Sequence, residues 1–109
     1  MAKSPPTKAE KLHMAWVASL PCLVSGQRAT VHHVTGFADR MGRFARSHRC
    51  VVPLAAEYHL IQHGPRMSVE ALGHSGFFQE WGIDLLAQAQ RLEAESIALG
   101  ILPELEMAA

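Results

Sequence analysis

The sequence predicts a small α+β domain, and three features of its residue pattern carry that prediction. Apolar residues recur at helical spacing over 8–20, and a second helical pattern covers 85–99. Between them, two short runs of β-prone residues at 22–24 and 29–34 flank a turn that contains a glycine. Helices at both ends and strands between them are typical of the α+β class.

The length of the chain favours one domain. Its 109 residues, 49% of them hydrophobic, suffice for one compact core and are too few for two ordinary domains. We expect a flexible arm at 1–7, a single domain at 8–102 and a tail at 103–109. No stretch approaches the roughly 18 apolar residues of a membrane span, and the polar start lacks the apolar run of a signal peptide. We therefore expect a cytoplasmic protein.

The first helix is delimited by its neighbours in the sequence. Thr7 is placed to cap its first turn, and Pro21 cannot continue it, so the pattern predicts a helix over 8–20. The apolar residues that recur at helical spacing along it are Leu12, Ala15, Trp16 and Ala18.

A β-hairpin is expected after this helix. The two β-prone runs would pair across the turn at 25–28, which puts His32 and His33 at the end of a strand. The segment 35–49 contains two glycines and little periodicity, so it is predicted to be a long loop. One more short strand is expected at 50–52.

Helical segments are predicted over the rest of the chain. Pro53 suits the first turn of a helix over 54–63, and the glycine and proline that follow end it. Further on, the pattern predicts helical turns at 69–72 and 77–81 and a helix at 85–99, with Ser68 and Asp84 as caps and Leu85, Leu86, Ala89, Leu92 and Ile97 as a buried stripe. The aromatic residues expected in the core are Trp16, Phe77, Phe78 and Trp81.

The charges balance overall but are unevenly distributed. A formal net charge of zero argues against a uniformly basic coat for nucleic acid, and acidic residues crowd the C-terminal end. A ten-residue stretch without any acid contains four arginines, namely Arg40, Arg43, Arg46 and Arg49. These arginines either belong to a solvated loop or contact phosphates, and the sequence leaves both interpretations open.

Four of the seven histidines have the spacing of metal ligands. His59 and His63 are four residues apart on the predicted helix, so they can hold one ion between adjacent turns, although such a pair is also found on solvated helix faces. His32 and His33 are neighbours on the predicted strand, where side chains alternate between two sides. One of the two can complete a three-histidine metal site, while the other serves as a general base.

Two of the remaining three histidines have no partner pattern in the sequence. For His13 and His74 we expect ordinary surface or capping roles.

The segments VHHV and RCVVPLAAEYHLIQH, joined by a loop that contains glycine and arginine, resemble the HNH, or histidine-metal finger, endonucleases. The wider frame of LPCLVSG, RSHRCVVPL and FFQEWGIDLLAQAQRL is similar to small phage and prophage nucleases of the recombination-enhancement type. The resemblance implies a small ββα-metal finger flanked by an N-terminal helix and C-terminal helices.

The resemblance also implies a role for each histidine. His32 would be a metal ligand, His33 the base that activates water, and His59 and His63 the remaining ligands of one divalent ion, Mg, Mn or Zn. The middle position of the motif is usually an asparagine or aspartate that orients the base, and here the candidate is His48. The four arginines would hold the nucleic-acid backbone without reading its sequence.

The chain has fewer cysteines than those relatives. The relatives often carry further cysteines that bind a structural zinc, whereas Ser25 and Ala55 stand at the corresponding positions here, so we expect no such zinc. Cys22 and Cys50 are predicted to be free thiols, because a disulfide framework needs more cysteines and an oxidising compartment.

The function expected from this resemblance is metal-dependent hydrolysis of phosphodiester bonds in DNA with low sequence specificity. The implied partners are nucleic acid and a phage or recombination protein. Two other functions stay open: a catalytically inactive nucleic-acid-binding module, and a different metal hydrolase such as a small amidase, for which Glu57 would be the nearby carboxylate.

Overall fold

Two short strands pair antiparallel in the middle of the chain, with helices before and after them. The computed structural model describes residues 5–34 and 48–104. The elements follow in the order α1 (Lys8–Ala18), β1 (Thr30–His33), β2 (Val51–Leu54), α2 (Ala56–His59), α3 (Val69–Trp81) and α4 (Leu85–Ala98). This mixture of helices with one two-stranded antiparallel sheet confirms the α+β class.

Helix α1 begins at the predicted cap but turns a different face to the core. The Thr7 side chain accepts the N–H of Glu10 at 3.1 Å, and the Glu10 carboxylate accepts the N–H of Thr7 at 2.8 Å, which forms a capping box. The residues that α1 buries are His13 and Val17, whereas Leu12 of the predicted stripe is 54% exposed. His13 is therefore a core residue, and the surface role expected for it is wrong.

The predicted hairpin is wrong in one of its two strands. Strand β1 forms where expected, but its partner is β2, in the register His32↔Val52 and His33↔Val51. The segment 22–24 turns back instead, because the N–H groups of Val24 and Ser25 point to the sulfur of Cys22 at 3.4 and 3.5 Å.

Strand β2 lies in the core of the fold. All four of its residues are buried, and both α1 and α4 contact it.

Helix α4 starts at the predicted cap, where Asp84 accepts the N–H of Ala87 at 3.1 Å. It buries Leu85, Ala89 and Leu92 of the predicted stripe. Of the aromatic residues expected in the core, Phe77 is fully buried, whereas Phe78 is 53% exposed.

Helix α2 is much shorter than the helix predicted over 54–63. It ends at His59, and Leu60 already has an extended backbone with φ −109° and ψ 134°. The N–H of Ile61, which would continue the helix by bonding to the carbonyl of Glu57, instead donates to the carboxylate of Glu70 at 2.8 Å. The prediction that His59 and His63 share one helical face is therefore wrong.

Helix α3 joins the two helical turns predicted after Ser68. The Ser68 side chain accepts the N–H of Ala71 at 3.2 Å and caps the first turn. Gly73 then interrupts the helical backbone with φ 73° and ψ 169°, a region that favours glycine. This interruption sets the direction of the residues that follow it, beginning with His74.

Both cysteines are free thiols, as predicted. Burial raises the pKa of Cys50 and keeps its thiol protonated. None of the described helices is long and apolar enough to cross a bilayer.

Candidate metal centre and histidine pair

His32 is the buried centre of a cluster of three histidines, in which His59 and His74 are half-buried. Its ring is 4.8 Å from the ring of His59 and 5.6 Å from the ring of His74, measured between centroids. Only 8% of His32 is exposed, and burial, together with the neighbouring histidines, lowers its pKa to about 3. His32 is therefore neutral over the ordinary pH range, which is the form of imidazole that binds metal ions.

The hydrogen bonds of His59 define which of its nitrogens is available as a ligand. The hydroxyl of Thr30 donates its one proton to the carbonyl of Leu54 at 2.7 Å. The contact of 3.0 Å between Thr30 Oγ1 and His59 Nδ1 must then use a proton on Nδ1. Nε2 of His59 consequently keeps its lone pair, which is the tautomer that a metal ligand needs.

His74 is the member of the cluster that the sequence did not reveal. It follows the break at Gly73 and approaches His32 so that the two Nε2 atoms are 3.3 Å apart. Burial lowers the pKa of both His59 and His74, and the Glu70 carboxylate opposes that effect at His59. His74 thus contacts His32 and does not have the ordinary surface or capping role expected for it. No spacing in the sequence could have indicated this contact.

His63 lies in a different position from the cluster histidines. It is exposed, in the turn that follows the end of α2, and its Nε2 is 3.5 Å from the side-chain nitrogen of Gln62. Since α2 ends at His59, no shared helix carries His63 towards the side chains of His32 and His59. Its assignment as a ligand stays a prediction.

His33 and His48 form a second pair on the other side of β1. Nε2 of His33 lies 3.1 Å from Nδ1 of His48, and the rings meet edge to face with centroids 5.2 Å apart. His33 neighbours His32 on the strand, so its side chain points away from the buried cluster. The two residues that the sequence proposed as base and orienting group are therefore within hydrogen-bond distance.

The arginines expected at the nucleic acid divide into two groups. Arg40, Arg43 and Arg46 lie outside the described residues. Arg49 is largely buried, and its guanidinium donates to the Glu93 carboxylate at 2.6 Å and to the Pro103 carbonyl at 2.9 Å. We therefore assign Arg49 to the core rather than to a phosphate contact.

The histidine cluster does not form a complete metal site as it stands. Within 5–34 and 48–104, no group of three His, Cys, Asp or Glu side chains is placed to hold a metal ion. The Nε2 atoms of His32 and His74 are 3.3 Å apart, and the ring of His59 lies 4.8 Å from that of His32. Three neutral imidazoles suit zinc and related divalent ions.

Comparisons of the chain with protein-family models, with curated proteins and with solved structures gave no match. A functional assignment therefore depends on the chemistry of these side chains and on the sequence resemblance.

Proposed function

We propose that the chain is a divalent-metal-dependent endonuclease of the ββα-metal (HNH) type, which hydrolyses phosphodiester bonds in DNA with low sequence specificity. One observation carries the proposal. His32 and His33 are neighbours on β1, yet one lies in the buried histidine cluster and the other pairs with His48 at 3.1 Å. A metal ligand and a general base are the two groups that a hydrolytic site needs, and here two adjacent residues of one strand would supply them.

His33 would act as the general base. When its Nε2–H donates to Nδ1 of His48, the lone pair of His33 is on Nδ1, which takes a proton from the attacking water. His48 orients the ring, as the middle residue of the motif does. His33 itself is half-buried.

His32 and His59 would hold the ion, with a third histidine completing the set. By the resemblance that third ligand is His63. When bound, the ion would stabilise the charge that develops on the scissile phosphate and on the leaving oxygen. Thr30 fixes the ring of His59, and the two strands keep His32 on the side of the sheet away from His33.

The segment between the two strands would contact the substrate. Arg40, Arg43 and Arg46 lie in this segment, between the half of the site on β1 and the half that follows β2. Guanidinium groups that bind phosphates supply affinity without reading bases, which agrees with low specificity. A phage or recombination protein remains the proposed macromolecular partner beside DNA.

The test compares two single variants with the parent protein. Plasmid DNA is incubated with each protein in Mg²⁺, Mn²⁺ or Zn²⁺, and metal content and melting temperature are measured in parallel. We expect His33→Ala to lose about a hundred- to ten-thousand-fold in rate and to keep its metal and stability. His32→Ala should lose the bound ion and the stability that the ion supplies. A parent rate in His33→Ala, or loss of metal from it, would overturn the proposal.

A catalytically inactive nucleic-acid-binding module is the second candidate. The early end of α2, which leaves His63 on an exposed turn, favours it because the ligand set of the motif is then incomplete. This candidate predicts that the parent protein binds DNA in a gel-shift assay and cleaves none with any of the three ions.

A further inference from the structure

The contact between His74 and His32 has the separation of two ligands of one ion. Their Nε2 atoms are 3.3 Å apart, at the long end of a hydrogen bond between two nitrogens. Two nitrogens bound to one tetrahedral zinc, each about 2.0–2.1 Å from it, are about 3.4 Å apart. The observed distance therefore suits two imidazoles that share one ion, and a small movement of the rings would exchange their present contact for the ion.

The backbone before His74 supports a specific position for its ring. Gly73 has φ 73°, and α3 would continue as a regular helix without this break. A β-carbon at Gly73 would meet no atom within 4 Å, so the conformation itself, and not a lack of space, accounts for glycine here. The break turns His74 towards the cluster, where it is half-buried.

His59 on α2 is the candidate for the third nitrogen. The ring of His59 is 4.8 Å from that of His32, and the hydrogen bond from Nδ1 to Thr30 leaves the lone pair on Nε2. His63, by contrast, is exposed beyond the end of the helix. The three histidines that lie together come from β1, α2 and α3.

We infer that His74, and not His63, is the third protein ligand of the divalent ion, together with His32 and His59. The inference rests on the proposed metal centre and specifies it further. An ion held in this way joins α3 to the sheet, so metal binding stabilises the packing of α3 as well as the finger itself.

The first experiment measures Zn²⁺ affinity of the full chain by calorimetry, without nucleic acid. We expect His74→Gln to weaken binding ten-fold or more, since even loss of a group that only orients a ligand costs roughly 10–100-fold. The matched variant His63→Gln should bind within about two-fold of the parent. Weak binding by His63→Gln with parent affinity in His74→Gln would overturn the inference and leave the proposed endonuclease standing with His63 as ligand.

A second variant tests the inference even if His74→Gln fails to fold. His74→Cys keeps a ligand atom at this position, so with Co²⁺ it should gain the near-ultraviolet absorption of a thiolate bound to cobalt. His63→Cys and the parent, which contains the same two native cysteines, should not gain it. If His74→Cys binds Co²⁺ but does not show this absorption band, the inference is contradicted. If the parent binds neither ion, the inference and the proposed metal centre fail together.

Discussion

The carbonyl oxygen of Arg49 accepts a hydrogen bond from Nε2 of the buried His13 at 3.0 Å. Nδ1 of His13 therefore accepts the hydroxyl proton of Ser96 at 2.9 Å. Glu93 completes the arrangement through its ion pair with Arg49. Residue 49 is thus held from both its backbone and its side chain, directly beside His48, so this buried network fixes one end of the proposed catalytic pair.

Removal of the Glu93 charge tests that network. In Glu93→Gln the Arg49 guanidinium stays buried without its counter-charge, a change that costs about 3–5 kcal/mol in a fully buried pair. Because the Glu93 side chain is 24% exposed, water screens part of the charge, and we expect a loss of about 2 kcal/mol in the free energy of unfolding. Urea denaturation measures it.

Glu95→Gln is the matched control for Glu93→Gln. Glu95 pairs with Arg91 one turn away on α4, and both side chains are about half exposed. An exposed pair at this spacing contributes about 0.3–0.5 kcal/mol. Equal losses in the two variants would show that Arg49 does not depend on its buried partner.

Acid should destabilise the protein through His13. Burial lowers the pKa of His13 from 6.5, and the bond to the Arg49 carbonyl only partly opposes this effect. Below about pH 6.5 the unfolded chain binds a proton that the folded chain does not, so stability falls as the pH drops, by at most about 1.4 kcal/mol per pH unit for one group. Above pH 6.5 His13 contributes no slope.

The variant His13→Gln isolates this contribution. Its amide can donate to the Arg49 carbonyl but does not titrate, so the decline in stability between pH 7 and pH 5 should be smaller than in the parent. Both proteins are measured with a metal chelator present. A decline remains in the variant, because burial also lowers the pKa of His32, His59 and His74. Identical declines in the two proteins would rule out a titrating role for His13.

Asparagine should replace His48 better than alanine does. An Asn side chain reaches as far as Nδ1 of histidine and can accept the N–H of His33, which His48 meets at 3.1 Å. We expect His48→Ala to lose about ten-fold in cleavage rate, the value of one orienting hydrogen bond, and His48→Asn to retain most of the parent rate. Equal losses in both variants, with metal content unchanged, would mean that His48 does not orient His33.

The turn between α2 and α3 should not tolerate a side chain at Gly64. A β-carbon there would lie 1.8 Å from the carbonyl oxygen of Glu57, which is backbone and cannot move cheaply. We expect Gly64→Ala to cost on the order of 1–3 kcal/mol in thermal or urea unfolding. Gly76→Ala is the comparison variant and should cost less: its β-carbon would lie 3.2 Å from the Leu72 side chain, a tight contact relieved by a shift of a few tenths of an ångström, within a helix that favours alanine. Parent stability in Gly64→Ala would contradict the packing described for this turn.

Salt dependence tests the arginines of the segment between the strands. Each phosphate contact adds close to one unit to the slope of log affinity against log salt, so Arg43→Gln with Arg46→Gln should lower that slope by about two. Lys8→Gln with Lys11→Gln removes the same charge from exposed positions on α1 and should leave it unchanged. A parent slope in the arginine double variant would exclude these two residues as phosphate contacts.

Local signals in the sequence predicted the starts of α1, α3 and α4 correctly, whereas the start predicted for α2 is wrong, because Pro53 and Leu54 belong to β2. Thr7, Ser68 and Asp84 each cap the helix expected of them, because an N-cap depends on residues within one turn. The length of α2 could not be predicted in the same way. Its end depends on the carboxylate of Glu70, which takes the N–H of Ile61 from nine residues away.

The positions of the histidines were likewise predictable where they depend on neighbouring residues, and not where they depend on distant contacts. Strand alternation predicted opposite directions for His32 and His33 because it acts between neighbours. The contact between His32 and His74 spans 42 residues and depends on how α3 packs, so no spacing in the chain encodes it. The core position of His13 was missed for the same reason, since its partners Arg49 and Ser96 come from distant segments.

The antiparallel register of β1 and β2 has a consequence for how such a chain can change. His32 lies opposite Val52, and a slip by a single position would turn every side chain of β1 to the other side of the ribbon. The imidazole in the histidine cluster and the imidazole beside His48 would exchange places, with no change in composition. An insertion between the strands leaves the alternation of side chains along β1 intact, whereas a deletion within β1 inverts it. The side of β1 to which each residue points therefore determines the site as much as the histidines themselves do.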